Sequence, residues 1–181
     1  MSIPNLITLA RILLVPVIVW AITSGEMLVA FILFLAAGVS DAVDGFIAKR
    51  FNMTTELGAY LDPLADKAMI VSIYVALGIA GEIPRWLVIL VVSRDIMIIG
   101  AVMLSWLIGK PMPVRPLKIS KVNTVGQIVF ACLVLASLGF RFDAEGVIAA
   151  TMAAVAVLTL LSIGFYLAAW VHHINSAEGE R

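Results

Sequence analysis

The sequence predicts an all-α, polytopic membrane protein with six transmembrane helices, and three observations carry that prediction. Hydrophobic residues make up 62% of the chain and charged residues 13%, with a mean hydropathy of +1.10, a balance outside that of soluble globular domains. The 181 residues hold about six spans of roughly 20 residues with short loops. Nothing is left for a soluble domain, so residues 1–181 read as one. Glycine, proline and charged residues interrupt the apolar runs at intervals that suit those spans. The formal net charge is zero, from 12 basic and 12 acidic residues; as a total it says nothing about partners, and its distribution has to be read instead. No nucleic-acid partner is expected. The single cysteine, Cys132, cannot close an intramolecular disulfide and lies in an apolar run, where a free thiol serves packing.

Pro4 suits the first turn of a helix that runs through Trp20 to about Thr23, and Ser24-Gly25-Glu26 ends it. The opening Met-Ser-Ile-Pro-Asn-Leu-Ile-Thr-Leu-Ala-Arg lacks the basic start and small-residue cleavage site of a secretory signal peptide, so the first helix is expected to stay. The second span runs from about Met27 to Arg50, and Phe51 to Glu56 is the loop that follows. The third runs from about Leu57 to Ala80 and tolerates Pro63 near its first turn. Gly81-Glu82-Ile83-Pro84 is a turn, and the fourth span follows from about Arg85 to Ile108. Gly109 to Ser120, with three prolines and three bases, is the longest loop. A fifth span from about Lys121 to Leu138, a turn over Gly139 to Glu145, and a sixth span from about Gly146 to Val171 complete the chain. No internal repeat is visible.

Basic residues in short loops orient such a chain. Lys49, Arg50, Lys110, Arg115, Lys118, Lys121 and Arg181 fall on one side of the predicted spans, Arg85 and Arg141 on the other. This puts both termini in the cytoplasm.

The stretch from Asp41 to Asp66 sets four aspartates among residues otherwise suited to lipid. Asp41 and Asp44 are i and i+3 on a helix, with Gly45 and Ala48 a further turn along, and Gly58, Asp62 and Asp66 repeat at i, i+4 and i+8. A carboxylate at membrane depth costs roughly 2.5–3.5 kcal/mol on insertion scales. Four unpaired ones would cost on the order of 10 kcal/mol, comparable to a domain's stability. They must be neutralised, and only Lys49, Arg50 and Lys67 lie close in sequence. Carboxylates converging from two helix faces suit hard divalent cations such as Mg²⁺. The orientation sets these acids near the cytoplasmic interface, where a site can reach a lipid headgroup and a water-soluble nucleotide together.

This stretch resembles the signature of the CDP-alcohol phosphatidyltransferase family, Asp-x2-Asp-Gly-x2-Ala-Arg-x8-Gly-x3-Asp-x3-Asp, through Asp41, Asp44, Gly45, Ala48, Gly58, Asp62 and Asp66 at every spacing. One position departs: the family arginine is Lys49 here, with Arg50 beside it, which replaces a planar fork by a point charge. Further runs, Ile3-Pro4-Asn5, Ser93-Arg94-Asp95, Leu-Asp-Pro-Leu-Ala-Asp-Lys and Lys118-Ile-Ser-Lys121-Val-Asn123-Thr, are similar to CMP-forming cardiolipin synthases and phosphatidylglycerophosphate synthases within the family. The resemblance covers roughly residues 3 to 127.

The resemblance implies transfer of a phosphatidyl group from CDP-diacylglycerol to a glycerol-based acceptor with release of CMP. Phosphatidylglycerol, giving cardiolipin, is the favoured acceptor, and soluble glycerol 3-phosphate is the alternative. By the same resemblance Asp41, Asp44, Asp62 and Asp66 hold two Mg²⁺ or Mn²⁺ ions, and Asp66 doubles as general base. Gly45, Ala48 and Gly58 lack bulk, so nucleotide and backbone approach closely, and Lys49 and Arg50 face phosphate. Arg115, Lys118 and Lys121 are candidates for the acceptor phosphate, although topology and anionic lipid alone explain basic loops. Related enzymes imply a homodimer, and a bacterial-type inner membrane. Of other classes, a divalent-cation transporter also explains intramembrane acids, but it predicts a midplane site between related halves. A metal-dependent prenyltransferase with aspartate-rich motifs is a third option, but what is known of that family implies more helices than this length allows.

Three features stay open at this level. Arg94 and Asp95, near the middle of the fourth span, are either a functional site or a pair that neutralises itself. Arg11, on one helical face with Thr8, either meets a phosphate or joins helices by hydrogen bonds. His172 and His173 follow Trp170 at the end of the sixth span; adjacent residues point different ways on a helix, so interfacial anchoring explains them better than metal ligation.

Overall fold

A backbone set among apolar side chains has to satisfy its own hydrogen bonds, and a helix does so within one segment. The computed structural model describes residues 3–51, 56–107 and 118–178 and, among them, contains six α-helices and no strand. They are α1 (Ile3–Thr23), α2 (Met27–Phe51), α3 (Glu56–Ala80), α4 (Arg85–Leu107), α5 (Lys118–Phe140) and α6 (Glu145–Glu178).

Four details differ from the sequence expectation. Helix α5 takes in Lys118 to Ser120, which were expected in the loop; the Ser120 carbonyl already accepts the Thr124 hydroxyl at 3.1 Å. The same helix continues through Gly139 to Phe140, because Gly139 is a packing residue and not a breaker. Helix α6 starts at Glu145, where Asp143 Oδ1 accepts the Glu145 N–H at 3.0 Å, and it extends past Val171 to Glu178, since no proline or glycine interrupts that stretch. With α3 starting at Glu56, Pro63 lies beyond the first turn. Proline inside a helix is tolerated where neighbours satisfy the freed backbone, and α1 likewise carries Pro16 in its interior.

The chain divides into two compact units, Met1–Pro84 with Ala131–Glu145, and Arg85–Phe130 with Gly146–Arg181. In the first unit α1 packs against both α2 and α3. Its core includes Ile18, Ala21, Ile22, Ala30, Ile73, Tyr74, Leu77 and Leu135. The end of α5 lies against α2. A Cβ built at Gly139 would stand 2.9 Å from Leu28 Cα and 3.0 Å from Leu28 N, so only glycine permits this approach. One turn of α2 further on, the Phe31 and Phe140 rings meet edge to face at 5.7 Å.

The helix ends of this unit share a device. Glu26 N–H bonds the Ala21 carbonyl, Glu82 N–H the Leu77 carbonyl and Phe142 N–H the Ser137 carbonyl, each five residues back, as in a Schellman cap. The residue that must take a left-handed conformation is Gly25 (φ 80°), Gly81 (φ 83°) and, without glycine, Arg141 (φ 56°).

In the second unit Leu87 and Val91 of α4, Phe130 of α5 and Val155 of α6 are buried. Gly126 of α5 faces Leu158 and Val155 of α6, 3.4 and 3.7 Å from the position of a Cβ.

The apolar residues that remain outside are as informative as the core. The segments Ile119–Phe140 and Glu145–Val171 are long and apolar enough to cross a membrane, yet 33% and 17% of their most apolar windows are buried. A core helix of a soluble protein would hide such a surface. On α6 Val147, Val157, Leu160, Phe165 and Val171 are all about half exposed.

Candidate functional site

The site is built at one end of two buried stripes. On α2, Ala30, Phe34 and Ala37 are buried, and the same helical face continues one turn on to Asp41. On α3, Ala65, Met69, Ile73 and Leu77 are buried, with Asp66 at the start of that face. Because α1 packs on both helices, a residue on its inner face meets both acids. That residue is Arg11, which shares a buried face with Thr8 and Ile18. Its Nη1 lies 2.6 Å from Asp41 Oδ1 and also pairs with Asp66 Oδ1.

The two acids keep 40% of their side-chain surface, while the arginine that joins them keeps 2%. The guanidinium thus sits on the protein side and the carboxylates face outward. Of the sequence-predicted site residues, the structure brings Asp41 and Asp66 together from separate helices. Asp44 lies on α2 and Asp62 on α3, but their side chains are outside what is described, as are the side-chain surroundings of Gly45, Ala48, Lys49, Arg50, Gly58, Lys118, His172 and His173. Arg115 lies outside the described residues altogether. Lys121 is described and exposed on the first turns of α5.

Two partly exposed carboxylates already gathered on one guanidinium fit a divalent cation by chemistry: the donors are hard oxygens and, of the described pair, the acids outnumber the base. For Arg11 the structure supports the helix-joining reading, in which it ties α1 to α2 and α3 through the motif acids themselves. Sequence reasoning missed that pairing. The available signal was a cation, Arg11, on an otherwise apolar span with Thr8 one turn before it.

The second unit holds a separate polar cluster. Arg94 is 1% and Asp95 6% exposed. Arg94 Nη1 donates to Asp95 Oδ1 at 2.5 Å, and Nη2 donates to Ser120 Oγ at 2.5 Å and Ser162 Oγ at 2.9 Å. Nε donates to Ser162 Oγ at 3.1 Å, and Tyr166 lies under the guanidinium at 5.9 Å. One turn away Thr159 donates to Asn123 Oδ1 at 3.0 Å and to the Val155 carbonyl at 2.7 Å. Here the acid is neutralised and every arm of the arginine is engaged, so the cluster ties α4 to α5 and α6 as a closed structural pair. Ser120 and Asn123 were legible only as members of the run from Lys118 to Thr124, and Thr159 and Ser162 only as isolated polar residues in an apolar run.

The sequence profile of the CDP-alcohol phosphatidyltransferase family matches residues 1–172. The chain is similar to a protein of Rattus norvegicus named cardiolipin synthase (CMP-forming), 37% identical over 157 residues, covering 78% of this chain and 52% of that protein. It is likewise similar to the Homo sapiens protein of the same name, 36% identical over 157 residues with the same coverage. A Mycobacterium tuberculosis protein named probable phosphatidylglycerophosphate synthase is 35% identical over 101 residues, covering 52% of this chain and 48% of that protein. The chain spans about half the length of these curated relatives. The match of the profile over residues 1–172, with the family's first and last motif aspartates joined at Arg11, shows that the chain belongs to the CDP-alcohol phosphatidyltransferase family.

Proposed function

We propose that this protein is an integral membrane enzyme that transfers the phosphatidyl group of CDP-diacylglycerol to the hydroxyl of phosphatidylglycerol, giving cardiolipin and CMP. The observation that carries the reading is the convergence of Asp41 and Asp66 on one guanidinium while both keep 40% of their surface. Asp41, Asp44, Asp62 and Asp66 would hold two Mg²⁺ or Mn²⁺ ions, which when bound would supply positive charge to offset that of the pyrophosphate.

The chain's own residues supply the rest. The Asp66 carboxylate takes the proton of the acceptor hydroxyl as it attacks phosphorus in line, and CMP leaves. Gly45, Ala48 and Gly58 let nucleotide and backbone approach, and Lys49 and Arg50 offer charge to phosphate. Arg115, Lys118 and Lys121 bind the acceptor's phosphate.

Six spans with both termini cytoplasmic, a bacterial-type inner membrane, a single catalytic domain and a homodimer complete the reading. It is supported by two helices with exposed apolar surface and by the basic residues of the intervening segments. Glycerol 3-phosphate is the second acceptor to consider, because a relative of comparable identity is named a phosphatidylglycerophosphate synthase. The purified protein, given CDP-diacylglycerol with equal phosphatidylglycerol and glycerol 3-phosphate, should release CMP and form cardiolipin. Predominant phosphatidylglycerophosphate would overturn the acceptor, and no CMP release with either would overturn the transferase reading.

A further inference from the structure

We infer that Arg11 is the fixed internal counter-cation of the aspartate site: it holds Asp41 and Asp66 together when no metal is bound, and it weakens the site's hold on a divalent cation. The inference rests on the metal reading given under Proposed function. The geometry that motivates it is one-sided. A single nitrogen, Nη1, meets Oδ1 of both acids, the arginine side chain is 2% exposed, and each carboxylate side chain is 40% exposed.

Two consequences follow from this arrangement. A buried guanidinium does not swing out to make way for another cation, because leaving two acids and crossing apolar packing is unfavourable. Arg11 therefore stays behind the carboxylates while their outer surface receives the metal. A unit positive charge is then fixed a short distance from a doubly charged ion, in a medium less screening than water. That repulsion exceeds what is gained by holding two short side chains in place. Removing the charge should tighten divalent-cation binding by about tenfold or more. Without metal the same removal takes away the buried cation that Asp41 and Asp66 share, so the metal-free protein should lose stability.

Charge and shape are separable here. Because one nitrogen serves both acids, the ammonium of a lysine, with three donors, can do the same, whereas methionine fills the space and carries no charge.

The test uses the full chain in detergent and two readouts other than activity: Mn²⁺ affinity from the electron paramagnetic resonance signal of free Mn²⁺, and thermal unfolding in excess chelator. Arg11→Met should bind Mn²⁺ at least about tenfold more tightly than the native protein and unfold about 10 °C lower in chelator. Arg11→Lys should match the native protein in both. Arg11→Gln, which keeps donors and drops the charge, serves in the same way if Arg11→Met does not accumulate. Unchanged or weaker Mn²⁺ binding in the neutral variant overturns the inference while leaving the metal reading intact, and so does Arg11→Lys behaving as Arg11→Met. A native protein that binds no Mn²⁺ overturns the metal reading and the inference together.

Discussion

Replacing Arg94 by methionine separates a structural clamp from a substrate site. The substitution leaves Asp95, 6% exposed, without the guanidinium 2.5 Å away, and removing one partner of a buried ion pair costs about 3–5 kcal/mol. Ser120 and Ser162 lose a donor, but a serine hydroxyl can turn to a carbonyl of its own helix, so their share is below about 1 kcal/mol each. The sum is on the order of 5 kcal/mol, and for a chain of this size each kcal/mol moves the midpoint by about 2–4 °C. Arg94→Met should therefore unfold about 10–20 °C below the native protein in detergent. Adding Asp95→Leu removes the stranded charge, and apolar replacement of a whole buried pair is often neutral or stabilising, so the double variant should recover most of the loss. The assay is thermal unfolding by circular dichroism at fixed pH with no substrate present. An Arg94→Met midpoint within about 2 °C of native, accompanied by a raised KM, would refute the clamp and favour a substrate contact.

The remaining tests address packing and chemistry. Gly139→Ala sets a methyl 2.9 Å from the Leu28 Cα; overpacking of about 1–3 kcal/mol outweighs the roughly 0.5–1 kcal/mol gained in helix propensity, so the midpoint should fall by several degrees with kcat unchanged. Asp66→Asn should lower kcat by about 10²–10⁴-fold while CDP-diacylglycerol binding, followed by displacement of a labelled donor, stays measurable; complete loss of donor binding would remove the separate base role. Lys118→Ala and Lys121→Ala should raise KM for the acceptor and leave the donor KM little altered, the pattern of lost binding rather than lost chemistry, whereas unchanged kinetics would assign both to topology.

The helices were legible because a long apolar run satisfies its own backbone within one segment as a helix, and Gly25 and Gly81 mark their ends in the expected manner. The end at Phe140 was harder to read, since Arg141 takes the left-handed position that glycine usually fills. Gly139, meanwhile, reads as a breaker until its contact with Leu28 is known. The acids of the site stood out because their spacing repeats along a helix and their charge is wrong for the surroundings. Arg11 did not, because its partners lie 30 and 55 residues away and no local period links Arg11 to Asp41 and Asp66. Ser120 and Ser162 were hidden for the same reason: a pairing across three helices depends on packing, and residues in an apolar helix without a polar stripe give no cue to which face turns inward.

Both units answer one requirement, that charge among apolar side chains be neutralised, and they answer it differently. In the second unit one arginine meets one aspartate, two serines and a tyrosine ring, with 1% and 6% of the charged residues exposed. That ledger is closed: no charge is in excess and no carboxylate surface is left to receive a ligand. In the first unit one arginine meets two aspartates, which together exceed its charge and keep 40% of their side-chain surface. Among the described residues, then, the acids at Arg11 outnumber the guanidinium and keep open surface, whereas at Arg94 they do neither. The ratio of acid to base around each buried arginine, together with the surface the acids retain, is therefore the physical feature that separates the two clusters among the described residues.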